Sequence, residues 1–309
     1  MLEYLEPLPT INGWYQARDL ETGCILFDQF GKPCRVTSVK RDFTPLWKIT
    51  TRDGDVFRIS DTQKIVNAIK DRYPPPPRTL KNLPVRLDIK KVKLIDTPHR
   101  EVPMDPYVFG LWFFDYNSIS TDTHTIAVKK KLLGEATRAL NYSGITVVDK
   151  RLAVVKKPAS VENYRLKTDP PIWSKLNAHY YKKPTTIPDC YLYGSHDQRQ
   201  RLLDSLLAAY RLTTGVDEKH HLDTWVKFGP NEKLNMQVAE LAASLGRTVK
   251  LVERYGVRHF LLGPMRKHRH NTSIKEVKFI GEGEGVSITV DSEDGTFCVG
   301  EGFIALSCH

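Results

Sequence analysis

Apolar and polar positions alternate in short runs over residues 1–65, the pattern of half-buried strands. Gly23-Cys-Ile-Leu-Phe leads into a turn over Asp28 to Lys32, and Arg35-Val-Thr-Ser-Val alternates beyond it. Leu46-Trp-Lys-Ile-Thr runs to Asp53-Gly54, a hairpin signal, and Val56-Phe-Arg-Ile continues on the far side. Tyr73-Pro-Pro-Pro-Pro-Arg78 is a stiff extended spacer, and Asp88 to Asp96 is a basic strand candidate. Beyond residue 271 the β pattern returns. It gives strands over Ile274 to Ile280, Gly285 to Asp291, Thr296 to Val299 and Gly302 to Leu306, with a turn at Asp294-Gly295.

Between these β-rich ends the period changes. Asp105 to Ser120 reads DPYVFGLWFFDYNSIS, with Pro106 suited to a first helical turn. Val108, Leu111 and Trp112 make an apolar face around a small residue, Gly110, and Asp115 closes the run. Arg199 to Arg211, RQRLLDSLLAAYR, is a second apolar helix with Ser205 at the matching place. A strand over Thr123 to Val128, a helix over Leu132 to Tyr142 ending at Gly144, and a strand over Ile145 to Val155 follow the first helix. A strand over Leu222 to Phe228, a helix over Leu234 to Leu245 ending at Gly246, and a strand over Thr248 to Val252 follow the second. The offset of about 95 residues predicts a duplication of helix, strand, helix, strand.

The net charge of +10 over 309 residues favours a polyanionic partner such as nucleic acid over a membrane surface. No apolar run approaches the roughly 18 residues of a membrane span, and MLEYLEPLPT lacks the basic and apolar regions of a signal peptide. Cys24, Cys34, Cys190, Cys298 and Cys308 form no CxxC pair, which argues against a structural zinc site or a disulfide scaffold. Cys298, in a strand pattern, reads as packed core, and the reactivity of Cys308 depends on its exposure. Arg165-Leu-Lys167 is one of several basic runs in the centre.

Taken together, these pieces resemble an intein carrying a LAGLIDADG homing endonuclease, including those found in phage genes. Asp105 to Asp115 looks like the first LAGLIDADG helix, and Ile187 to Tyr210 looks like the approach and the second. Asp19 to Asp28 with Gly31-Lys-Pro33, and Val286 to Phe297 with Gly302-Phe-Ile304, look like the opening and closing motifs of a splicing domain. The resemblance implies a β-rich Hint-like domain from residues 1–100 plus 271–309. Under the same resemblance, residues 101–270 form an inserted α+β pseudo-twofold domain, with repeats over 101–190 and 191–270. It further implies two helices packed through small residues, each delivering one Asp to divalent metal at a scissile phosphate.

The sequence departs from that pattern at both centres. Asp115 matches the first catalytic acid, a possible Mg²⁺ ligand, but Tyr116 replaces the following glycine. Tyr210 stands where the second acid belongs, and a phenol with a pKa near 10 is a poor Mg²⁺ ligand at neutral pH. Asp204 lies about 9 Å away along the helix, too far to substitute. The chain begins Met1-Leu2 rather than with a splicing nucleophile, and Ser287 matches the internal alternative. Ser60-Asp-Thr-Gln63 lacks the expected histidine. At the end, Ala305-Leu-Ser-Cys-His309, an ungapped register puts Ser307 and Cys308 in place of His and Asn, while a shifted one makes His309 the penultimate histidine. Taking Met1 as the start of a complete reading frame favours the ungapped register, in which splicing is dead at each step.

The expectation is a free-standing, degenerate relative that binds duplex DNA with little or no cleavage or splicing. The expected DNA contacts are Lys129, Lys130, Lys131, Lys156, Lys157, Lys182, Lys183, Arg266, Lys267 and Arg269. No cofactor is expected, with Mg²⁺ needed only for retained nuclease activity; neither a membrane nor a small-molecule substrate is implied. The alternatives are a weak Mg²⁺-dependent nickase, and a non-enzymatic structural protein in a larger assembly such as a phage particle. The corresponding locations are the host cytoplasm or nucleoid, and the virion.

Overall fold

The structure is a computed structural model, and it describes residues 1–68, 80, 87–92, 94–118, 125–152, 163–176, 184–214, 224–226, 232–247, 249–254, 257–262 and 271–308. The chain opens with β1 (Leu2–Glu3), β2 (Pro7–Thr10), β3 (Gly13–Gln16), β4 (Ile25–Phe27), β5 (Pro33–Thr51), β6 (Val56–Ser60), β7 (Lys64–Ile65) and β8 (Asp88–Lys90). The centre runs through α1 (Pro106–Ser118), β9 (Thr125–Lys129), α2 (Leu133–Tyr142), β10 (Thr146–Leu152), β11 (Asn163–Asp169), α3 (Ile172–Leu176) and α4 (Asp189–Leu192). It continues through α5 (His196–Thr214), β12 (Thr224–Val226), α6 (Glu232–Ser244), β13 (Val249–Arg254) and β14 (Val257–Leu262). The last strands are β15 (Asn271–Val290), β16 (Thr296–Val299) and β17 (Ile304–Ser307). Two compact units result. One comprises Met1–Thr97, Asp223–Val226 and Ala242–His309; the other comprises Pro98–Leu222 and Lys227–Leu241.

In the first unit both parts of the chain share one sheet, in the order β4-β5-β6-β1-β15-β8. Because β5 also pairs with β15, the strands β5, β6, β1 and β15 close into a ring around Leu2, Val36, Ile49, Phe57, Ile59 and Val286. The sequence pattern predicts two strands in each of the stretches 35–50 and 274–291, yet each forms one continuous strand of 19 or 20 residues. The two long strands hold each other from Ile274↔Thr51 to Val290↔Val36, so intervening polar residues do not end them. Glycines let them bend. Gly281 sits at a bulge with φ +112, and a Cβ on Gly285 would lie 2.7 Å from Thr44 Cγ2 and 3.3 Å from Met1 Cβ. The basic strand expected over residues 88–96 shortens to β8, because only Lys90, Ile89 and Asp88 find partners on β15.

The order of elements read from the sequence recurs in two stretches of the chain, with one addition to the sequence pattern. Each repeat is helix, strand, helix, strand, strand: α1-β9-α2-β10-β11 and α5-β12-α6-β13-β14. Each makes a three-stranded antiparallel sheet with its last strand in the middle, β10-β11-β9 and β12-β14-β13. Gly144 and Gly246, both with positive φ, terminate α2 and α6 at corresponding places.

Candidate functional site

In the first unit, the two ends of the β-rich chain meet at Gln63. Antiparallel pairing of Leu2 with Ile59 brings Met1 beside the end of β6, and Ser60 N–H donates to Met1 O at 2.8 Å. Met1 N then donates to Ser60 Oγ and to Gln63 Oε1, each at 2.9 Å. From its other side, Gln63 Nε2 donates to Ser307 O at 2.8 Å. The pairing of Ser307 with Lys64 holds β17 there. Burial pushes the Met1 amine down to about 6, against the opposing pull of the Asp61 carboxylate. Thr62 Oγ1 lies 3.0 Å from Ser60 Oγ.

A carboxamide both donates and accepts, so Gln63 ties the two ends together. Unlike an imidazole, it neither takes up nor releases a proton near pH 7. Gln63 therefore positions the groups it bonds and exchanges no proton with them. Ser287 lies on β15 opposite Lys40, half-buried, one residue beyond the Val286 that pairs with Leu2. Cys298 is fully buried, which drives its thiol well above the ordinary range, and burial also raises the Cys308 thiol. A buried thiol held as SH is a weak nucleophile.

The second unit is built on a close helix crossing. Asp105 caps α1 by accepting from Tyr107 N–H at 2.9 Å, and Arg201 on α5 donates to both its carboxylate oxygens at 3.0 and 2.8 Å. One turn on, Gly110 faces Ser205. A Cβ on Gly110 would overlap Ser205 Oγ and lie 3.1 Å from Ser205 Cβ and 3.2 Å from Leu202 O. Ser205 Oγ is kept satisfied by donating to Leu202 O at 2.8 Å. Phe109 stacks on Tyr191 with ring centroids 4.0 Å apart. Tyr191 OH in turn donates to Met104 O at 3.3 Å. The small-residue packing inferred from Gly110 and Ser205 is therefore present.

β9 lies against α1 and α5, with Ile126, Val128 and Leu166 buried. The alternation of a strand sends their neighbours to the opposite face. There Arg165 on the central strand has Ala127 on one side and Arg151 on the other, and Lys167 lies between Thr125 and Asp149. Arg165 Nη1 donates to Thr125 Oγ1 at 3.3 Å, while Arg151 Nε donates to Asp149 Oδ2 at 2.6 Å. The Arg151 side chain remains 81% exposed. Among the described residues, this open face carries Arg151, Arg165 and Lys167 together with the carboxylates of Asp149 and, two residues beyond Lys167, Asp169.

The residues expected from sequence are distributed unevenly about these features. Lys129 ends β9 and is buried, and Lys130 is exposed in the turn after it. Lys131 shares that turn, with its side chain outside the described residues. Asp115 and Tyr116 lie on α1 and Tyr210 on α5, again with side chains outside the described residues. Lys156, Lys157, Lys182, Lys183, Arg266, Lys267, Arg269 and His309 lie outside the described residues. Arg151 belongs to none of the charge runs. Its signal is strand register, which aligns it with Arg165 across the sheet. Among the described residues, no three His, Cys, Asp or Glu side chains gather as a metal-ligand set, and no helix is long and apolar enough to cross a membrane.

No family model matches the chain, and no curated protein matches it. Among solved structures, it is similar to the MchDnaB-1 intein, with 10% identity over 99% of both chains and a TM-score of 0.36. It is also similar to the Msm DnaB1 intein splicing domain bound with zinc, with 22% identity over 29% of this chain and 66% of that one and a TM-score of 0.26. The gp41-1 intein gives 17% identity over 26% of this chain and 60% of that one, with a TM-score of 0.24. These are distant likenesses.

Proposed function

We propose that this chain is a degenerate relative of inteins that carry a LAGLIDADG endonuclease, and that it binds duplex DNA with little or no splicing or cleavage. The observation that carries the proposal is the second unit's geometry. Two helices cross at Gly110 and Ser205, and the sheet packed on them presents Arg151, Arg165 and Lys167 on its open face. Arg and Lys on such a face contact phosphates and base edges. Support for silent splicing comes from Gln63, which occupies the place of the family's histidine and ties the two ends without proton chemistry. Support for weak cleavage comes from the sequence, where Tyr210 replaces the second acid.

The test is duplex binding and cleavage with the chain's native genomic locus as substrate, in Mg²⁺ and then Mn²⁺, with Asp115→Ala as control. Salt-sensitive binding without cuts is the expected result. Specific cuts lost in Asp115→Ala would replace this reading with that of a nuclease. Absence of binding at low salt would reject both.

A further inference from the structure

Glu6 lies in the turn between β1 and β2 and is 0% exposed. Its Oε2 accepts the Arg58 N–H at 3.0 Å, and the Arg58 guanidinium comes within 3.7 Å of the same oxygen. Its Oε1 is buried and has no hydrogen-bond partner among the described residues. Beside that oxygen the chain passes through Gly300 at φ +67, where a Cβ would stand 3.7 Å from Oε1 and 3.8 Å from Val56 O. The charged groups acting on the carboxyl are Arg58 on β6, Glu3 on β1 and Glu301 in the turn between β16 and β17. The guanidinium is itself 40% exposed, so it is partly screened by solvent. Burial dominates and pushes the Glu6 carboxyl up to about 8, with Glu3 and Glu301 adding to the rise and Arg58 opposing it.

The backbone of this short stretch joins three elements. Glu6 N–H donates to Glu3 O at 3.0 Å and Ala17 N–H donates to Glu6 O at 2.9 Å. Gly300 N–H donates to Pro7 O at 2.9 Å. The first strand, the β2-β3 hairpin and the β16-β17 turn therefore meet around one carboxyl, and that first strand carries Met1 to the Gln63 contact.

We infer that Glu6 is a proton-operated latch: its neutral carboxylic acid closes the junction of the N-terminal strand with β6 and the β16-β17 turn, and its ionisation loosens that junction. A neutral acid is far cheaper to bury than a carboxylate with one unpaired oxygen. The direction follows from linkage. With its folded pKa raised to about 8 from the ordinary 4.5, the latch has full strength below the ordinary carboxylate range. Opening becomes about tenfold more favourable per pH unit as pH rises towards 8, and then levels off because both states are ionised.

The experiment is amide exchange between pH 5 and 9, corrected for intrinsic rates, at the Arg58 and Ala17 amides of the wild type and Glu6→Gln. Wild-type protection is expected to fall about tenfold per pH unit up to about pH 8, and Glu6→Gln to stay flat. The same slope in both proteins would overturn the proposal. Because the variant could fail to fold, a carboxyl ¹³C titration of wild-type Glu6 provides a second decision. A midpoint near 8 supports the latch, and one near 4.5 rejects it.

Discussion

At the scale of single residues, Gln63 has a role that its local sequence only half announces. Ser60-Asp-Thr-Gln63 identifies a position where the resembled family has histidine, and the structure adds that Gln63 bonds both Met1 and Ser307. Those partners stand 62 and 244 residues away, so no local pattern exposes the bridge. Replacing Gln63 with Leu removes both the hydrogen bond to the Ser307 carbonyl and the one accepted from the Met1 amine. A loss of about 1–3 kcal/mol is expected, read as a lower denaturant midpoint at unchanged slope. Cys298 is easier to read. Its place in an alternating strand predicts a core thiol, and it is fully buried.

Elements follow the sequence where their period is regular and depart from it where long-range pairing decides. Pro106, Gly144 and Gly246 mark helix ends that the structure reproduces. The third strand of each repeat is absent from the sequence pattern. In the first repeat, β11 offers only Leu166 as a large buried aliphatic between Arg165 and Lys167, and its two neighbours lie elsewhere in the chain. The cations that obscure that strand are the ones that make its open face basic. At the helix crossing, Gly110→Ala puts a methyl group onto Ser205 Oγ and against the Leu202 carbonyl. It should cost about 1–3 kcal/mol, and adding Ser205→Gly should recover part of that loss in the same unfolding assay. On the open face, Asp149 neutralises Arg151. Asp149→Asn is expected to raise duplex affinity severalfold at low salt and to lose most of that gain at high salt, as measured by fluorescence anisotropy.

Over the whole molecule, the charge of +10 sets an attraction to polyanions, and the sheet register decides where some of that charge is presented on one face. Composition makes the first point readable. Arg151 needs the second, since nothing local in its sequence ties it to Arg165. The most direct measurement is the salt dependence of duplex binding for the wild type and for the triple variant Arg151→Ala, Arg165→Ala, Lys167→Ala. Binding should weaken steeply with salt in the wild type. The slope of log affinity against log salt should be shallower in the variant by roughly 0.9 for each phosphate that is no longer neutralised. Equal slopes and affinities in the two proteins, or no binding by the wild type at low salt, would contradict the assignment of this face to DNA.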